Sequence, residues 1–258
     1  MLDRSADPDR GPRVAIDCDV NLLALDTSTT RAALAVVPAD GQGRAVEVAS
    51  PDPAARHGRS LVPAVRDLLA RAGLAPADLG GLVVGLGPGS YTGLRIGLTA
   101  AKTLAYALGK PLAGFDGLDV IARNAPSDAL CVHVIGDAQR GDLYLAEFRR
   151  ERPLDPLLRL EPTRVVALDR WAAELPPGAF VLGPALTVPR LAAILPSHAR
   201  APDDPEAHWP NPRHLVVVAR EVWRSGRRDD PWFLEPVYLR RSAAEEQWDR
   251  HKPPSPTS

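Results

Sequence analysis

A short apolar run at residues 82–86 (LVVGL) breaks into the glycine-rich stretch 87–97 (GPGSYTGLRIG), from which a helical pattern runs to Leu108. A buried strand that turns through glycines into a helix is a building unit of α/β folds. The turn stands where backbone N–H groups at a helix start can bind an anion. It is not a Walker loop, because no Gly-Lys-Ser/Thr follows it. Nor is it the dinucleotide fingerprint, since no acidic residue closes the next strand about twenty residues on. A tight turn whose glycines let strand and helix pack closely accounts for the same residues.

The helix predicted over 92–108 stops at Gly109, with Pro111 just beyond. At ~100° per residue, Arg95, Thr99, Lys102, Thr103 and Tyr106 share one narrow arc, and past Thr92 every other position is apolar or glycine. A single core contact needs an apolar stripe only somewhat over ~100° wide. Gly97, Ala101 and Ala105 recur every four residues, a smooth strip that another helix backbone can approach. Such a helix lies between two layers of its own domain or forms a subunit interface. The interface is the expectation, because a chain this short has few layers to spare.

Upstream, the apolar run 21–25 ends in Asp26, and a hydroxyl-rich turn (Thr27, Ser28, Thr29, Thr30) leads to a second run at 32–37. The pattern predicts two strands joined by a short loop. A turn at 40–43, a third strand at 45–49 and a Pro-rich break at 51–53 follow. Residues 57–73 have helical spacing, with Leu61, Val65, Leu68, Leu69 and Ala72 on one face and Arg59, Arg66, Asp67 and Arg71 opposite. Gly73 closes that helix. A strand at 112–115 and a short helix from Gly117 come next.

The pattern then restarts: an apolar run at 130–136, Asp137, the turn Ala138-Gln139-Arg140-Gly141, and a strand at 142–148. This repeats the arrangement around Asp26 and predicts two related subdomains. Two unrelated hairpins of the same form would read alike. Further on, strands are predicted near 157–161 and 180–182, and helices at 168–174, 186–195 and 213–225. A loop at 198–212 separates the last two, and 235–240 reads as an extended segment. The expected organisation is a disordered extension over 1–20, a first subdomain over 21–118, a second, smaller one over 119–230, and a C-terminal segment with a loose tail over 231–258.

A strand ending in Asp before a hydroxyl-rich hairpin is a form in which a carboxylate can hold a magnesium shell and hydroxyls with N–H groups can hold phosphate. Asp26, Thr27, Ser28, Gly87 and Gly89 are therefore candidates for a vestigial phosphate loop. An Asx or hydroxyl turn that closes a hairpin uses the same residues. The net charge of −1 rules out a bulk field that would recruit nucleic acid or an anionic membrane. Cys18 and Cys131 lack metal-type spacing. A reducing, cytoplasmic setting is expected, with no membrane span. His57 is four residues from Leu61, and the histidines at 133, 198, 208, 214 and 251 form no ligand-spaced pair, so no metal site is expected.

Three segments, LALDTST from Leu23, HGRSLVP from His57 and GPGSYTGLRIG from Gly87, resemble the TsaB family in that order and spacing. The ending EPVYLR from Glu235 is similar to that family's ending. The similarity is dense over 21–148, sparse across 150–230, and returns in the tail. The resemblance implies an actin-like α/β fold of two related subdomains with mixed sheets flanked by helices, as in sugar kinases and heat-shock ATPases. It implies a non-catalytic subunit for threonylcarbamoyladenosine modification of tRNA beside the anticodon. Such a subunit supports the catalytic paralogue TsaD, with TsaE completing the complex.

In the family the two N-terminal helices make the pairing surface. The residues expected at the interface here are Leu61, Val65, Leu68, Leu94, Gly97, Leu98, Ala101 and Ala105. The paralogue's metal-binding His-x-x-x-His falls on Gly117 and Ile121, neither of which can ligate a metal. No cofactor is expected on the chain alone, although ATP or ADP can be accommodated at the subunit boundary. Contact with tRNA is expected only indirectly, and a homodimer when the partner is missing. The alternative is a nucleotide-dependent phosphotransferase or ATPase of the same superfamily. A metallopeptidase reading lacks its ligands.

Overall fold

The computed structural model describes residues 19–39, 46–49 and 57–240, the side chains of 46–49 and 57–60 excepted. Residues 1–18 of the extension expected over 1–20, the turn at 40–43, the break at 51–53, the end of the tail, Cys18, His251 and the side chains of His57 and Arg59 lie outside the described residues, while Val20 packs against the core of the first unit.

Two five-stranded sheets form the frame. The first has the order β3-β2-β1-β4-β5, built from Asn21–Asp26 (β1), Ala33–Val37 (β2), Val46–Ala49 (β3), Leu79–Gly85 (β4) and Leu112–Phe115 (β5). β1 pairs antiparallel with β2 and parallel with β4, and it is buried on both faces. That position explains its continuous rather than alternating apolar sequence. The second sheet repeats the plan. Cys131–Asp137 (β6) pairs antiparallel with Asp142–Arg149 (β7), which carries both Leu158–Arg159 (β8) and Arg164–Ala167 (β9). Phe180–Leu182 (β10) lies parallel to β6, as β4 does to β1. The helix His57–Ala72 (α1) links β3 to β4, and Leu168–Glu174 (α4) links β9 to β10 in the same way. This is the doubling that the repeated Asp-turn pattern predicted, in the actin-like form that the family resemblance implies.

On one face of the first sheet, α1 and Tyr91–Leu108 (α2) share a core with β1 and β4. α2 begins at Ser90, whose Oγ accepts the N–H of Gly93 at 3.2 Å, and it ends at Gly109 with φ of 62°. These are an N-cap and a left-handed C-cap. The other face is covered by Pro212–Arg224 (α6) through Leu215, Val218, Ala219 and Trp223. Sequence order alone assigns α6 to the second subdomain over 119–230, and here the packing departs from that boundary. Its apolar face is complementary to the small residues Ala24, Ala33 and Ala35 of the first sheet, so the chain returns to close the first unit. Leu118–Ala122 (α3) joins the units, with Val120 in the α6 core and Leu118, Ile121 and Ala122 in the core under β6.

Two elements differ from expectation. β9 was not anticipated, since its four residues are only half-buried and lack alternation. The helix expected over 186–195 is reduced to Pro189–Ala192 (α5), because Pro184 and Pro189 each start a new turn. Residues 235–240 carry no helix or strand, and Val237 donates its N–H to Leu86 O at 2.8 Å.

Candidate functional site

A cleft of about 570 Å³ opens between the two units. Its walls are the β1–β2 loop (Ser28–Thr30), the glycine turn before α2, the β6–β7 loop and the C-terminal segment. Of the five candidate phosphate-loop residues, Ser28 and Gly89 line its first-unit side, and the loop that carries Asp26, Thr27 and Ser28 is bonded within itself and to the start of α2. Thr27 Oγ1 donates to Gly93 O at 2.7 Å, and Ser90 donates its N–H to Ser28 O at 2.6 Å. A Cβ on Gly89 would penetrate Ser28 O, and one on Gly97 would penetrate Thr27 Oγ1. The glycines therefore let the hydroxyl loop seat directly against the start of α2. The amide and hydroxyl that a phosphate would need are already engaged.

Asp26 sits beneath this knot, fully buried. Its Oδ1 accepts the N–H of Ser28 at 2.8 Å, while Oδ2 has no hydrogen-bond partner. Burial pushes its pKa above the ordinary carboxylate value, and the Asp116 carboxylate adds to the rise. A Cβ on Gly117 would lie 2.9 Å from Asp26 Oδ2 and 2.9 Å from Ser28 Oγ. Gly117 is thus required by close approach to a buried carboxyl, at the position where the resemblance places a histidine in the paralogue.

The second loop is equally engaged. Asp137 accepts the N–H of Gln139 at 2.7 Å and meets Arg190 at 3.3 Å. Gln139 and Arg140 both have left-handed φ, 67° and 57°. These geometries do not fit a nucleotide's phosphates gripped by Asp26 and Asp137 as the chain stands. Among the described residues no group of three His, Cys, Asp or Glu side chains is placed to hold a metal ion. His133 is buried, its Nδ1 accepting from Trp171 at 3.2 Å, and burial lowers its pKa.

Several cleft residues were not anticipated as a site. The Tyr91 and Tyr238 rings lie 5.1 Å apart, the Arg95 guanidinium sits 4.3 Å from the Tyr91 ring, and Arg95 Nε donates to Tyr238 Oη at 3.1 Å. Arg240 Nη1 donates to Ala138 O at 2.6 Å and Gln139 O at 2.8 Å, and reaches Asp142 at 3.1 Å. The segment from Val237 to Arg240 therefore straps the first unit to the second across the cleft. Its EPVYLR signature was visible, but what it reaches was not.

The eight residues expected at a partner interface are placed otherwise. Leu61, Val65, Leu68, Leu98, Ala101 and Ala105 are buried in the core that seats α1 and α2 on the sheet, Leu94 is buried against the turn at Gly87, and Gly97 faces Thr27. The wide apolar arc of α2 is divided between the sheet and α1, with Ile96, Ala100 and Leu104 partly covered. Gly97 of the small-residue strip lies against Leu25 and Thr27, and Ala101 and Ala105 are buried in the core under the first sheet. What α1 and α2 leave outward is a second stripe that includes Val62, Arg66, Ala70, Arg95, Thr99, Thr103 and Tyr106.

Comparisons with known proteins agree with this geometry. Residues 49–158 match the family model described as TsaD: tRNA N6-adenosine threonylcarbamoyltransferase. The tRNA threonylcarbamoyladenosine biosynthesis protein TsaB of Bacillus subtilis is 32% identical over 196 residues, covering 74% of this chain and 83% of the relative. TsaB of Escherichia coli is 28% identical over 231 residues, covering 87% and 96%. The structure of YeaZ from Pseudomonas aeruginosa superposes with a TM-score of 0.72 at 28% identity, covering 85% of this chain and all of that one. With the doubled sheet, the glycine turn locked onto the hydroxyl loop and relatives of this extent, the chain belongs to the TsaB family.

Proposed function

We propose that this chain is a non-catalytic subunit in threonylcarbamoyladenosine modification of tRNA, acting by binding and supporting TsaD, with TsaE as a third component. The observation that carries the non-catalytic part is the state of the cleft. Asp26, Thr27, Ser28 and Asp137 are engaged with the chain's own backbone, and Gly117 stands where the paralogue needs an imidazole. The relatives named TsaB supply the pathway. The outward stripe of α1 and α2 short of Tyr106, with Val62 68% exposed, is the face on which a helix pair of TsaD would pack.

The test is restoration of the modified nucleoside in cells depleted of their own TsaB, read by mass spectrometry of tRNA hydrolysates, together with co-purification of TsaD from the same genome. Restoration with retained TsaD is expected, and the pure chain should turn over no ATP. Steady hydrolysis by the chain alone would overturn the reading in favour of a phosphotransferase or ATPase.

A further inference from the structure

Away from the cleft, at the C-terminal end of α2, a turn displays two aromatic rings to solvent. Asp230 Oδ1 accepts the N–H of Trp232 at 2.8 Å, and Asp230 O accepts from Phe233 at 3.1 Å and Leu234 at 2.9 Å. Leu234 is buried in the core shared by α1 and α2. Asp229 is bound to the edge of β5, donating its N–H to Leu112 O at 2.8 Å and accepting from Gly114 at 2.7 Å. The turn is therefore fixed, and its rings are held outward. Trp232 is 76% exposed, Phe233 82% and Tyr106 75%, with Tyr106 edge-on to Trp232 at 5.9 Å. Large rings held rigidly in water mark a contact site.

Beside them lies a hollow of about 550 Å³ whose lining includes Lys102, Tyr106, Lys110, Pro231 and Trp232 and no carboxylate. The chain has only three lysines, at 102, 110 and 252, and two of them are here. The nearby carboxylates are turned to other work: Asp229 to Gly114 and Arg227, and Asp230 to its own turn. Ammonium groups beside open ring faces match a nucleic-acid strand, with cations for phosphates and rings for bases. An apolar peptide would use the rings but leave two ammonium groups desolvated without partners.

We infer that this patch contacts an unpaired stretch of tRNA directly. The inference rests on the reading that the chain acts in tRNA modification, and it departs from the expectation of indirect contact.

The test uses the chain co-purified with TsaD, cross-linked to 4-thiouridine-substituted tRNA, with cross-linked peptides mapped by mass spectrometry and affinity followed across salt concentrations. Cross-links are expected on the peptide holding Trp232 and Phe233. Trp232→Ala and Phe233→Ala should each weaken binding about tenfold at an unchanged melting temperature, while Trp232→Tyr retains most of it. Lys102→Gln with Lys110→Gln should reduce the slope of log affinity against log salt by about 1.4. Cross-links elsewhere or none, or variants that hold tRNA as tightly as the parent, would overturn the inference. Loss of TsaD from the same variants with tRNA binding intact would make the patch a protein contact instead. Restoration of the modified nucleoside by the unaltered chain is measured in parallel. If it fails, the functional reading falls and takes this inference with it; if it succeeds while cross-links avoid the patch, only the inference falls.

Discussion

Thr27 Oγ1 lies over the backbone of Gly97 and donates to Gly93 O at 2.7 Å, so the loop after β1 and the first turns of α2 are locked by one hydroxyl. The lock explains why two glycines separated by one helical turn recur here. Any side chain at either position enters the volume of Thr27.

Gly97→Ala should therefore destabilise the chain by about 1–3 kcal/mol, in spite of alanine's better helix propensity. Thr27→Ala alone should cost about 1 kcal/mol through the lost hydrogen bond. The double variant should cost less than the sum, since removing Oγ1 makes room for the new methyl. Urea unfolding of the four proteins measures this coupling, and strict additivity would refute the lock.

Asp26 sets a pH dependence. Its pKa is raised in the fold by burial, so the folded state holds the proton more tightly than the unfolded chain does. The contribution is fully present below the ordinary carboxylate value and is lost as pH rises through the folded value. Asp26→Asn keeps an acceptor for Ser28 and removes the titration. Its stability relative to the parent should improve from pH 4 towards neutrality. A constant difference across that range in denaturant melts would count against a buried, titrating carboxyl.

The strand order was legible where burial makes residues unambiguous. β1 lies between two strands and reads as a solid apolar run, and the paired Asp-turn patterns announced both hairpins. Misreadings arose where one amphipathic face has more than one available neighbour. The apolar arc of α2 shows that it must be covered, but not whether β1, α1 or another chain covers it. Ala101 and Ala105 were thus assigned outward and lie inward. α6 was assigned by sequence proximity, whereas shape complementarity to small residues of β1 and β2 decides its place. Arg240 meets Ala138 from 102 residues away, and local pattern carries no such information.

That correction changes what a charge on α2 should do. Ala101→Arg places a guanidinium in the chain's own core and should lower stability by several kcal/mol with or without TsaD. Val62→Arg and Thr99→Arg lie on the outward stripe. They should melt like the parent yet lose TsaD on gel filtration. A well-folded Ala101→Arg chain would contradict the packing, and pairing unaffected by both outward variants would move the interface elsewhere.

The C-terminal strap yields the last prediction. Arg240 links the strap to the β6–β7 loop through Ala138 O, Gln139 O and the Asp142 carboxylate. Hydrogen bonds to a charged group contribute about 1.5–3 kcal/mol, and solvent at this half-exposed site reduces that range towards its lower end. Arg240→Ala should therefore free the 138–140 loop without unfolding either sheet. Hydrogen exchange should quicken at Gln139 and Asp142, whose amides close that turn, and at Val237, whose N–H holds the strap to Leu86 O. The amides of β1 and β4 should exchange as before. Arg240→Lys keeps the charge but not the planar guanidinium that aims Nη1 at two carbonyls and a carboxylate, so its exchange should fall between the two. Uniform acceleration across both sheets would show that Arg240 supports the whole fold, and no change at the three amides would show that the strap holds without it.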